Sequence, residues 1–159
     1  MSTNPPILLT GSCVCKHIQY TSTSLPLSMS HCLCTTCRKS SGGPFQTYAR
    51  FPSSAITWLN NRTPKYFRSS SFAQRAFCDQ CGSSLVFAVD GREGVISLAA
   101  GSIDDRDVKL EAGEELVKAD RYYWVRECPV WYGVPEDELV KHETDPDLDG
   151  PVDTGKAAE

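Results

Sequence analysis

Seven of the chain's eight cysteines fall into three tight clusters: Cys13-Val14-Cys15, Cys32-Leu33-Cys34-Thr35-Thr36-Cys37 and Cys78-Asp79-Gln80-Cys81. Cysteines two or three residues apart bring several thiols to one point, which suits a tetrahedral metal ion and not a disulfide framework. Two, three and two divide into one complete set of four ligands and one set of three with a position left over. A closed set of four then has to draw its thiols from two distant segments.

Between the clusters, short β-branched and aromatic runs recur: Ile7–Leu9, Ile18–Thr21, Leu27–His31, Thr47–Phe51, Ile56–Leu59, Lys65–Arg68, Arg75–Phe77, Leu85–Val89, Val95–Ala99 and Tyr122–Val125. Gly, Pro, Ser and Asn separate them, so the pattern predicts a mainly β protein of antiparallel strands. Helical patterning is brief: a turn from Cys34 into Arg38-Lys39, a region at Ser71-Phe72-Ala73, and Pro135–Val140, where Pro135 suits a first helical turn. The clusters fall at strand ends, and Gly82 after Cys81 suits the turn that closes a Cys-x-x-Cys-Gly knuckle. At 159 residues the chain is long enough for one domain. The expected division is an N-terminal segment 1–8, a zinc domain over 9–143, and an acidic, disordered tail over 144–159.

Ligand counting divides the work. Cys13 and Cys15 pair with Cys78 and Cys81 in a closed, structural zinc site of four cysteines, leaving Cys32, Cys34 and Cys37 as three ligands of a second zinc with an exchangeable fourth position. Three protein ligands and an opening is the pattern of a catalytic zinc, and a thiolate-rich site favours a sulfur-bearing substrate. A fourth thiolate would leave that site doubly negative, so Arg38 and Lys39, with amide donors from the Ser41-Gly42 loop, are candidate substrate contacts. Arg38 and Lys39 are equally readable as surface cations, and Cys128, His17, His31 or His142 as a fourth ligand that closes the site. His31 suits that role poorly, because strand neighbours point to opposite faces. Cys128 reads more readily as a buried inert thiol.

The net charge of −4 gives no field for nucleic acid, and no stretch nears the ~18 apolar residues of a membrane span. The N-terminus lacks a basic region followed by an apolar run, so the expected location is a reducing, cytoplasmic one, where clustered cysteines bind metal.

With these residues in view, the chain resembles the glutathione-dependent formaldehyde-activating enzyme family, also called the centromere-protein-V domain, on the Mss4-like β fold. The resemblance rests on Gly11-Ser12-Cys13-Val14-Cys15, on His31-Cys32 through Cys37-Arg38-Lys39 with Gly42, on Phe77-Cys78-Asp79-Gln80-Cys81-Gly82-Ser83, and on Ala100-Gly101-Ser102-Ile103-Asp104-Asp105. It implies two zinc ions per chain, structural on the outer pairs and catalytic on the middle three. It also implies carbon–sulfur lyase or transferase chemistry with glutathione as substrate or co-substrate. Tyr122 stands where family members often carry a histidine, which leaves any role of that histidine open; Tyr122, Trp124 and Trp131 read as core aromatics in preference to pocket lining. Asp104 and Asp105 are candidate acids or turn caps, and no general base is nominated. The competing expectation is a non-catalytic zinc-stapled module that carries glutathione or docks a protein.

Overall fold

The computed structural model describes residues 5–112 and 115–148. Its strands are short and mostly antiparallel, as the β-branched and aromatic runs predict. A three-stranded sheet has the order β1-β2-β5, from β1 (Leu9–Ser12), β2 (Gln19–Ser22) and β5 (Ile56–Trp58). An eight-stranded sheet has the order β11-β10-β3-β4-β9-β8-β7-β6. Its strands are β3 (Ser28–Cys32), β4 (Gln46–Pro52), β6 (Lys65–Arg68), β7 (Ala73–Phe77), β8 (Ser84–Val89), β9 (Val95–Ala99), β10 (Ala119–Tyr123) and β11 (Val140–Lys141). The departure from antiparallel order is at one edge, where β10 lies parallel to both β3 and β11.

The register of the large sheet explains where everything else sits. Met29, Ala49, Leu98, Val86 and Ala76 are successive cross-strand partners, all buried, and they share one core with the small sheet's Leu9 and Tyr20. Each large apolar side chain removed from water contributes up to about 1.5–3 kcal/mol, so this row defines the inside. One residue along, Arg50, Ser97, Phe87, Arg75 and Phe67 form a second row of partners. Alternation puts that row on the opposite face. The fold therefore has a closed apolar face and an outer face with aromatic and cationic side chains. The closure is tight at Gly11, where a Cβ would lie 2.1 Å from the Tyr20 ring; Tyr20 ends in a 2.9 Å hydrogen bond with Ser102 Oγ.

The one α-helix among the described residues, α1 (Thr35–Ser41), lies against β4. Seven residues would not hold a helix in water. It is fixed at the start by Cys34, whose Sγ accepts from Cys37 N at 3.4 Å, and at the end by left-handed Gly42, φ 75°, which donates to Arg38 O at 2.8 Å. The two other helical expectations are corrected. Residues 69–73 form the β6–β7 turn, with Ser69 N donating to Ala73 O at 3.1 Å. Pro135–Val140 is not helical because Asp137 accepts from Leu139 N at 3.2 Å in a local turn, and Val140 then joins β11. In the tail, 146–148 make a 3-10 turn whose Asp147 carbonyl accepts from Arg92, and Asp147 lies 4.0 Å from Arg50; residues 149–159 lie outside the described residues.

Candidate metal centres

The chain turn after β1 brings Cys13 and Cys15 against the β7–β8 connection, which carries Cys78 and Cys81. The four sulfurs all lie within 4.8 Å of one another. Cys13 Sγ is 3.5 Å from Cys15 Sγ, which is 3.9 Å from Cys78 Sγ. A tetrahedral zinc with Zn–S near ~2.3 Å separates its sulfurs by ~3.8 Å, so the donor set and its spacing fit that ion.

Both arms are knuckles. Cys13 O accepts from Lys16 N at 2.9 Å with Lys16 left-handed at φ 58°, and Cys78 O accepts from Gly82 N at 2.7 Å with Gly82 at φ 76°. Ile18 N donates to Cys13 Sγ at 3.2 Å, and Ser83 Oγ lies 3.2 Å from Cys81 Sγ. The Ser83 hydroxyl and backbone, with the backbone of Cys15, lower the Cys81 thiol to about 5. Cys13 and Cys78 belong to the apolar core, so this cluster ties the small sheet to the large one from inside.

Cys32, Cys34 and Cys37 converge at the C-terminal end of β3, with their sulfurs likewise within 4.8 Å of one another. Cys32 ends β3, Cys34 caps α1, and one helical turn returns Cys37 to the same point. Among the described residues no histidine, carboxylate or further cysteine joins this group. These three soft donors fit zinc with a fourth position that the described residues do not supply.

Arg75, 4% exposed, reaches this cluster from β7. Its Nη2 donates to Cys37 Sγ at 3.2 Å, Nη1 donates to Ser69 Oγ, and its guanidinium lies 4.8 Å from the centre of the Phe87 ring. Tyr48 OH is 4.0 Å from the same sulfur. The Cys37 thiol is held well below the ordinary thiol range, first by hydrogen bonds from Cys32 and Cys34 and then by the charge of Arg75, against its burial. Glu127 approaches the start of α1, its Oε2 accepting from Thr35 N at 2.6 Å. Neither Arg75 nor Glu127 carries a signal in the sequence: one sits mid-strand in Ala-Gln-Arg-Ala-Phe, the other in a loop 92 residues from its partner.

The other nominated residues are placed as follows. Arg38 turns back on its own helix, donating from Nε to Leu33 O at 3.0 Å and from Nη2 to Thr35 Oγ1 at 3.2 Å, while Lys39 is exposed. Ser41 Oγ donates to Phe45 O at 3.1 Å and accepts from Gly43 N, beside Gly42. Cys128 is half-buried and donates to Tyr132 O at 3.3 Å, apart from the three-cysteine group. His31 stands outside that group, with Nδ1 2.8 Å from Thr47 Oγ1 and its ring against Phe45 and Tyr122; burial lowers its pKa, against the pull of Asp137. Tyr122 and Trp124 are buried, and Tyr122 OH donates to Asp137 at 3.0 Å. Trp131 is a correction: it is 66% exposed, not core, because its loop runs over the surface. Asp104 accepts from Thr10 and Ser12, both at 3.1 Å, and lines a cleft of about 600 Å³ with Asp105, Lys16 and Tyr20, among residues other than the three cysteines. No helix of the described residues is long and apolar enough to cross a membrane.

Comparison with known proteins matches the chain to a family. A model described as glutathione-dependent formaldehyde-activating enzyme matches residues 8–125, which include all seven clustered cysteines, Arg75 and α1. Over 78 residues the chain is 37% identical to a protein of Schizosaccharomyces pombe named an uncharacterized lyase. That alignment takes in 49% of this chain and 56% of the relative, so it spans little more than half of the relative's length. A crystal structure of a Rhodobacter sphaeroides protein shares the fold, with TM-score 0.51 at 17% identity over 67% of this chain and 96% of that one.

Proposed function

The chain belongs to the glutathione-dependent formaldehyde-activating enzyme family, and on that premise we propose that it is a zinc-dependent carbon–sulfur lyase or transferase acting on adducts of glutathione or a related thiol. The observation that carries this reading is the convergence of Cys32, Cys34 and Cys37 with no fourth ligand among the described residues. A zinc ion held there would supply a Lewis-acid position for the substrate sulfur, stabilising it as thiolate when the carbon–sulfur bond breaks or presenting it as nucleophile in reverse.

The chain's own residues divide the remaining tasks. Cys32, Cys34 and Cys37 hold the ion, and the short helix fixes their spacing. Lys39, exposed on that helix, is assigned to a substrate carboxylate, and the Ser41-Gly42 turn to an adjoining polar contact. Arg38 is assigned to holding the helix start through Leu33 and Thr35. No side-chain general base is assigned: a cation would stabilise the departing thiolate, and the proton that the carbon half of the adduct loses as its carbon–sulfur bond breaks would pass to water. Cys13, Cys15, Cys78 and Cys81 hold a second, structural zinc in this reading. Thiols gathered for metal suit a reducing compartment such as the cytoplasm.

Zinc per chain, measured on the intact protein and on Cys34→Ser, tests the assignment together with release of free thiol from S-substituted glutathione. Two ions should fall to one, with the cooperative unfolding transition kept and thiol release lost. Thiol release that persists after the middle zinc is gone overturns it.

A further inference from the structure

We propose that Arg75 selects a thiolate, over neutral ligands, as the fourth ligand of the three-cysteine centre. It is a positioning residue that acts through Cys37. Its role rests on the zinc reading above and adds a residue that this reading does not need.

Arg75 carries an unbalanced charge. It is 4% exposed, and its guanidinium donates to the sulfur of Cys37 and to the hydroxyl of Ser69. No ion pair among the described residues gives it a carboxylate. A buried guanidinium without an anion carries a large desolvation cost. The sulfur of Cys37 is the anion it has in contact.

The cluster has the complementary deficit. Three thiolates on a divalent ion leave one negative charge, and an anionic fourth ligand leaves two. In a part-buried site the second negative charge is unfavourable unless a cation stands close. Arg75 stands 3.2 Å from Cys37 Sγ, and it is held there by the Phe87 ring and by Ser69 rather than by any carboxylate that would neutralise it. A positive charge fixed against one ligand stabilises each added negative charge at the centre and does nothing for a neutral one. Arg38 and Lys39, nearer in sequence, do not fill this place: one is spent on α1 and the other faces solvent.

The test uses the full chain loaded with cobalt in place of zinc, whose thiolate-to-cobalt charge-transfer bands report each added sulfur. The cobalt protein is titrated separately with 2-mercaptoethanol, which binds as an anion, and with imidazole, which binds neutral. Arg75→Met should bind the thiol about tenfold more weakly or worse, the least effect expected of an opposite charge lost within ~4–6 Å. Imidazole binding should stay within about twofold, since a neutral ligand adds no charge for the arginine to offset, and Arg75→Lys should recover most of the thiol affinity. Equal weakening of both ligands, or no change in either, overturns the proposal. Should Arg75→Met fail to fold, Phe87→Leu, which removes the ring beneath the guanidinium, is read by the same pair of titrations: a thiol-specific loss supports the role and a uniform one overturns it. If the unaltered cobalt protein shows no new sulfur band with thiol, the lyase reading falls and the proposal with it. If it shows the band and the variants match it, the assignment of Arg75 alone falls.

Discussion

The four-cysteine and three-cysteine clusters use the same side chain and place it in opposite surroundings. Cys13 and Cys78 are core residues, Cys13 Sγ is tied to a backbone donor, and the chain supplies all four sulfurs of the group. Cys32, Cys34 and Cys37 sit across one turn, with a buried arginine against them and no fourth donor among the described residues. The contrast teaches that placement runs parallel to thiol count: the four sulfurs join two pieces of the fold, the three rest on one, and the proposed structural and reactive roles follow the same line.

The sharpest way to break that contrast is to remove one sulfur from each side. Structural zinc sites contribute about 10 kcal/mol or more of folding free energy, as much as the whole margin of a typical domain. Cys78→Ser should therefore abolish the cooperative thermal transition, while Cys34→Ser keeps it; a folded Cys78→Ser protein that retains the transition would erase the distinction. A finer probe uses two glycines with left-handed backbones and open space where a methyl group would sit: Gly82 in the knuckle and Gly42 at the end of α1, φ 76° and 75°. Alanine at either should cost about 1 kcal/mol in denaturant unfolding. Only Gly82→Ala should also weaken, against a chelator, retention of the ion proposed for the four-cysteine group.

The smallest effect belongs to a cross-link that needs no metal. Arg68 donates to both oxygens of Asp90 at 3.0 and 2.8 Å, joining β6 to the end of β8 and lowering the Asp90 pKa. A carboxyl lowered in the folded state stabilises fully above its unfolded value, near ~3.9, and the contribution is lost as pH falls through the folded value. Asp90→Asn should flatten the acid limb of the thermal-stability profile slightly below that pH, and salt should shrink the difference because both partners are exposed. An Asp90→Asn protein that lost the cooperative transition as well would mean that charge, not the cysteine knuckle, sets the strength of the sheet.

Much of this molecule is written locally. Short β-branched and aromatic runs such as Val95–Ala99 and Lys65–Arg68 give strands whose ends agree with the structure, because hairpin neighbours decide them. The cluster spacings point to the two thiol groups for the same reason: ligands two or three residues apart converge in almost any turn. What the sequence does not carry is the partner from far away. Arg75 looks like an outward strand residue until Cys37 is laid against it, Glu127 looks like a loop acid until it reaches Thr35, and Pro135–Val140 reads as helix until β10 offers it an edge. Trp131 fails in the other direction, since an aromatic close to Pro129 and Tyr132 suggests a core that its loop never enters.

The spacing of the two clusters also sets an order of events as the chain folds. Cys15 meets Cys78 across 63 residues, whereas Cys32, Cys34 and Cys37 lie within one short stretch of sequence. Closing the longer loop costs more entropy and waits for more of the chain to exist. Loop closure therefore favours gathering the three thiols before the four. On that order, a nascent chain offers the three-cysteine group to metal, or to oxidation, before the fold around it has closed.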